Sequence, residues 1–113
     1  MTAQDIIDRC REILKDDIEP YRIDDSEFFS SISDGLWEAE ARRPDLLIQT
    51  DGTITAVVEI TATSATISFP DRTKEMFACY TSYRSYISED ADRHNTQQAT
   101  LLFGRFNSLL ETI

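Results

Sequence analysis

The last stretch of this 113-residue chain, Phe69 to Ile113, limits its folding options more than any other. Two apolar seams at helical spacing run through it. In the first, Met76, Tyr80, Tyr83 and Ile87 recur every three or four residues, and Phe77 and Cys79 widen the face. In the second, Asn95, Ala99, Leu102, Phe106, Leu109 and Ile113 keep the alternation to the end. Seams of this kind belong to helices packed lengthwise on other helices. The acidic run Ser88-Glu89-Asp90-Ala91-Asp92 separates the two. So short a connection predicts an antiparallel helical hairpin, with helices over residues 71–88 and 92–112.

The N-terminal part predicts two more helices. Thr2, with Asp5 three residues on, has the form of a capping box. Ile6, Cys10, Ile13 and Ile18, flanked by Ile7 and Leu14, make an apolar stripe over residues 3–19. Pro20 then interrupts the hydrogen-bond ladder. Asp24-Asp25-Ser26-Glu27 supplies the next cap, with acids where the helix dipole favours them. Phe28, Phe29, Ile32, Leu36 and Ala39 form the stripe of a helix over residues 26–42. Gly35 weakens that helix by about 1 kcal/mol relative to alanine, so it marks a close approach to a neighbouring helix. Trp37 lies off the stripe, at the core edge or in a subunit contact. Pro44 ends the helix by pushing Arg43 out of helical geometry.

From Leu46 to Phe69 the period changes. Asp51-Gly52 is a turn signal, and Ile54, Ala56, Val58 and Ile60 alternate with Thr55, Val57, Glu59 and Thr61. After Ala62-Thr63-Ser64, Ala65 to Phe69 is expected to pair back, with Leu46 to Gln49 as a further extended segment. Pro70 and Asp71 open the third helix, capped by Ser68 or Asp71. The fold expected is therefore mainly α: a single domain over residues 1–113, four-helix-bundle-like, with a β-hairpin over 54–69 inserted between helices two and three. The residues expected to be buried are Ile6, Cys10, Ile13, Phe29, Ile32, Leu36, Phe77, Tyr80, Tyr83, Leu102, Phe106 and Leu109.

Composition bounds the function. Apolar residues make up 41% and charged residues 28%, which suits one globular domain with its own core. The N-terminal stretch is acidic and amphipathic, unlike a secretory signal, and no apolar run reaches the roughly twenty residues a membrane span needs. A soluble protein without a membrane partner is expected. Cys10 and Cys79 both fall on apolar helical faces, as expected of reduced core residues in a cytoplasmic product. The formal net charge is −10, with thirteen acids against six bases in residues 1–45. Such a surface argues against binding nucleic acid through phosphate neutralisation. It suits a solvated face, a basic partner, or a wall that repels DNA passing by.

One constellation bears on catalysis. Pro44-Asp45, Asp51-Gly52 and Val57-Val58-Glu59-Ile60-Thr61 resemble the core of the PD-(D/E)xK nucleases. That resemblance implies two carboxylates, here Asp45 and Glu59, holding a divalent metal from adjacent strands. The lysine position is Thr61, and a neutral threonine cannot stand in for a cation beside developing negative charge. His94 is the only histidine, with no cysteine near it in sequence. Gly35, Gly52 and Gly104 are too scattered for a phosphate loop, and no serine sits in a nucleophile elbow. The residues themselves call for no catalytic group, metal or cofactor.

A second resemblance covers more of the chain, from Ser26 to Leu110. It rests on a helix ending in Arg42-Arg43-Pro44-Asp45, a short β segment and the Phe69-Pro70-Asp71-Arg72 opening of the next helix. That helix carries Tyr80, Tyr83, Arg84 and Tyr86. An acidic break follows, and then Asn95, Ala99, Phe106 and Leu110. In order and spacing this resembles the head–tail adaptor, or connector, proteins of tailed bacteriophages. The resemblance implies a non-enzymatic virion protein at the head–tail junction, made in the bacterial cytoplasm. It implies a homo-oligomer, a dodecameric ring beneath the portal protein, that extends the DNA channel and docks the tail or stopper protein. DNA would pass through such a ring without specific binding. Many adaptors grip the portal with a C-terminal tail; here Ile113 follows almost directly on helix four, so that grip is expected from helix four or elsewhere. The candidate interface residues are Trp37, Ile54, Val57, Glu59, Ala62, Thr63, Ser64, Arg84 and Arg105. The tip Ala62 to Ser64 is expected to be dispensable for folding, and Arg84 and Arg105 to form structural or interface ion pairs.

Overall fold

A computed structural model describes residues 1–88 and 94–113. Four helices form: α1 (Ala3–Leu14), α2 (Asp25–Arg42), α3 (Lys74–Tyr86) and α4 (Thr96–Thr112). Two short 3-10 turns, Pro44–Leu47 and Asp71–Thr73, follow α2 and precede α3. All of the acidic break Ser88 to Asp92 except Ser88, and the first two residues of the helix expected over 92–112, lie outside the described residues.

The α1 capping box is made as the sequence predicts. Thr2 N–H donates to the Asp5 carboxylate at 2.8 Å, and the Thr2 side chain accepts from the Asp5 backbone. Two further N–H groups of the first turn, Ala3 and Gln4, donate to the carbonyls of Ala65 and Thr63, both at 2.9 Å. The helix stops five residues short of the expected end. Lys15 takes a left-handed conformation (φ 56°, ψ 44°) and its N–H returns to the Arg11 and Glu12 carbonyls. Chain reversal thus begins before Pro20, and Ile18, placed on the stripe from sequence, is 81% exposed.

Asp24 and Glu27 close a second capping box at the start of α2. Phe28, Ile32, Leu36 and Ala39 are buried along one side, as their spacing predicts. Gly35 is where α2 meets α3: a Cβ there would lie 2.8 Å from Cδ1 of Tyr80. The close approach expected of this glycine is present, and a side chain would close it off.

α3 is the central element, packed against α1, α2 and α4. Met76, Phe77, Ala78, Cys79, Tyr80, Thr81 and Ser82 are buried in an unbroken run, so α3 is covered on every side over two turns. Each large apolar side chain taken from water there contributes about 1.5–3 kcal/mol. α4 runs antiparallel to α3. The Tyr83 ring lies tilted against Phe103 (4.7 Å between centroids) and that of Tyr80 against Phe106 (4.9 Å), so rising numbers on one helix meet falling numbers on the other. The expected helical hairpin is formed, and Asn95 N–H reaches Tyr86 O at 2.7 Å to hold its ends together. Asn95 also caps α4 through its side chain, which accepts from Gln98 N–H. Leu110 is buried where Leu109 was expected; Leu109, Leu102, Tyr83, Phe29 and Ile13 are partly buried around the core.

The β-hairpin expected over 54–69 is not formed. Among the described residues only two isolated antiparallel bridges occur, Ile48 with Ile54 and Thr2 with Thr66. Two physical reasons separate the outcome from the alternation. Ala62-Thr63-Ser64 offers no residue suited to the positive φ of a tight hairpin turn, whereas Gly52 takes φ 87° in the turn that joins Ile48 to Ile54. The second half of the segment also has a competing partner. Ala65 and Thr63 carbonyls serve α1, and Ile67 N–H donates to Met1 O at 2.9 Å. Residues 63–67 therefore run beside the N-terminus instead of folding back on 54–60.

Candidate interaction surface

The exposed part of the α2–α3 connection is held at one edge only. Gln49 N–H donates to Thr53 O (2.7 Å) and Thr55 N–H to Leu47 O (3.3 Å), around a turn pinned by Thr53 donors on the Asp51 carboxylate. Those donors hold the Asp51 carboxyl below its usual range. Two residues further on, Val57 N–H donates to a Glu40 carboxylate oxygen at 3.4 Å. In extended chain, alternate residues direct their backbone groups to the same edge. Residues 53, 55 and 57 thus face the protein, and Ile54, Ala56 and Val58 face away. The backbone groups of these three find no partner among the described residues. Their side chains are exposed as well, Ile54 by 70% and Val58 by 62%, while Val57 packs on the core. Ile60 N–H then turns inward to Ser33 Oγ at 2.8 Å and Ile60 is buried.

The remaining candidate interface residues are scattered over other parts of the surface. Trp37 is 43% exposed on α2. Glu59, Ala62 and Ser64 are exposed and Thr63 is partly buried. The tip 62–64 is not a free loop end, because Thr63 O and Ala65 O supply acceptors to the first turn of α1. That contact argues against the expectation that the tip is dispensable for folding. Arg84 donates to Asp34 at 2.8 Å and to the Tyr80 hydroxyl at 3.3 Å, tying α3 to α2. Arg105 of α4 reaches Glu75 at 3.4 Å. Glu75 also takes two bonds from Arg9 of α1, at 2.7 and 3.1 Å, so one carboxylate of α3 links three helices. The Arg9 bonds hold Glu75 below its ordinary range.

Asp45 and Glu59 do not share a strand frame. Both Asp45 oxygens are occupied by Arg43, at 3.0 and 2.9 Å, and Glu59 lies on the unpaired extended stretch. Arg43 also donates to the carbonyls of Leu110 and Ile113, and so caps the C-terminal end of α4. Among the described residues no group of three His, Cys, Asp or Glu side chains is placed to hold a metal ion. No helix among them is long and apolar enough to cross a membrane. Cys10 and Cys79 are free and buried, and burial pushes their thiols up to about 12 and about 11.

One cluster escaped sequence reasoning. Arg11, 3% exposed, bonds Asp16 at 3.0 Å and Asp25 at 2.7 Å, with its guanidinium 3.9 Å from the Tyr21 ring centroid. Asp16, 4% exposed, also accepts from the Arg22 and Ile23 N–H groups at 2.8 and 3.1 Å. This pair fixes the turn between α1 and α2. The signal was an arginine on the inward stripe Ala3, Ile7, Arg11, Leu14, with aspartates on the following loop.

No family model matches the chain, and no match to it was found among curated proteins or solved structures.

Proposed function

We propose that the chain is a structural virion protein, a subunit of the head–tail adaptor ring of a tailed bacteriophage. The observation that carries the reading is the helix frame. Two capped helices lead through an exposed extended connection to a central α3 paired antiparallel with α4. That is the order the adaptor resemblance implies, and the helical hairpin is its best-matched part. In this role the ring binds the portal, extends the DNA channel and docks the tail or stopper. The net charge of −10 suits a channel wall that gives passing phosphates nothing to hold. Ile54, Val57 and Glu59 of the connection, with Trp37, supply subunit or tail contacts. Arg84 and Arg105, each already engaged inside one chain, serve chiefly to hold the helices in place. The test is co-sedimentation with the portal protein encoded beside this chain. Co-migration in equal copy number is expected; a portal that sediments without it overturns the reading.

A further inference from the structure

Beyond the Ile48–Ile54 bridge, residues 54–58 leave an unguarded and unpaired length of backbone at the surface. The backbone groups of Ile54, Ala56 and Val58 have no partner among the described residues, and Ile54 and Val58 expose apolar side chains beside them. Proteins usually guard such an edge with lysine, proline or a bulge. This one has none of these. No proline or glycine occurs from Thr53 to Phe69, and no lysine or arginine lies between Arg43 and Arg72. The charges on the stretch, in its turn and bonded to its backbone are acidic: Glu59, Asp51, and Glu40 against the Val57 N–H.

We propose that residues 54–58 take up an extended segment of a different protein as an added β-strand, and that this segment alternates β-branched residues with lysine or arginine. Ala56 and Val58 bond its backbone, and the exposed Ile54 and Val58 side chains pair with its apolar residues across the strands. The local acids select a cationic strand and disfavour a second copy, whose own stretch brings Glu59 and no base. The proposal takes from the adaptor reading only the premise that this connection meets another chain. It holds for any partner with such a segment.

The test uses the full chain labelled for amide NMR and a short capped peptide alternating valine and threonine with lysine near both ends. Controls are the same peptide with glutamate for lysine, and the lysine peptide N-methylated on its pairing edge. Slowed exchange and shifts at Ala56 and Val58, but not at Thr55 and Val57, are expected. The lysine peptide should bind about tenfold more tightly than the glutamate peptide at low salt, with the gap closing as salt rises. N-methylation should abolish binding. Ala56→Pro removes one outward N–H from an exposed residue and should abolish binding while the melting temperature stays unchanged. Equal binding of the two charge forms, shifts confined to another face, or no binding overturns the proposal. Protection of Ala56 and Val58 without peptide, in a concentration-dependent dimer, overturns it in favour of a second copy. None of these outcomes depends on the portal, so failure here is distinguishable from failure of the adaptor reading.

Discussion

Removing the Asp16 carboxylate, in the turn between α1 and α2, should cost far more than removing any acid of those two helices. Its side chain is 2% exposed and faces the Arg11 guanidinium, itself 4% exposed. Breaking a buried pair from one side costs about 3–5 kcal/mol, because the surviving charge is left without its partner. Arg11 keeps Asp25, which softens the loss, but Asp16→Ala also strands the Arg22 and Ile23 N–H groups. An unmatched buried donor costs about 1–3 kcal/mol, so the total remains near 3–5 kcal/mol. That is a large part of the 5–15 kcal/mol typical of a whole domain, roughly speaking. Asp25→Ala is the control. It meets the same arginine, but its side chain is 45% exposed, and its loss should cost about 1 kcal/mol or less. Urea titration of the three proteins, followed by helical circular dichroism, measures both differences. A cost below about 1 kcal/mol for Asp16→Ala, or equal costs for the two variants, would refute the assignment of this pair as the anchor of the α1–α2 turn. The pH dependence has a definite sign. Burial alone would raise the Asp16 pKa, but the Arg22 and Ile23 donors and the Arg11 charge overcome it and hold it below 3.8. Its contribution is therefore complete above the unfolded value and is lost as pH falls below 3.8 through the folded one. Asp16→Ala should lack that part of the acid transition.

Three further outcomes are expected. Gly35→Ala should destabilise despite alanine's better helix propensity, by about 1–2 kcal/mol net, since the 2.8 Å approach to Tyr80 forces a packed ring to shift; unchanged or raised stability in urea would refute the close contact. Deleting Ala62 to Ser64 should lower the melting temperature and weaken amide protection at Ala3 and Gln4, whereas an unchanged melting temperature would mean that α1 does not depend on those carbonyls. Cys10 and Cys79 should resist iodoacetamide in the folded protein at neutral pH, with burial holding the thiols near 12 and 11, and react at the unfolding rate; fast labelling of either would place it outside the core.

The parts of the fold that were legible in the sequence are those decided by local rules. Thr2 with Asp5 and Asp24 with Glu27 form the boxes their spacing announces, and Gly35 lies against Tyr80 as a helix-interior glycine suggests. The Tyr80–Phe106 and Tyr83–Phe103 contacts follow from two seams and a short connection. What was not legible depends on a choice between partners distant in sequence. Alternation in residues 54–60 reports an extended backbone but not which chain pairs with it; the N-terminus captured residues 63–67 instead. The end of α1 was set by Arg11 and Asp16 closing a turn, a stronger constraint there than the proline five residues beyond Lys15. For the candidate surface, Ile54, Val57 and Glu59 were found from the strand pattern, while the direction of the free edge needed the Val57–Glu40 and Thr55–Leu47 bonds.

Electron microscopy of the portal protein mixed with this chain tests the adaptor claim most directly. A ring of added density on the portal's narrow end, with α3 and α4 fitting the ring's subunits, is the result predicted. A bare portal beside monomeric protein would contradict it.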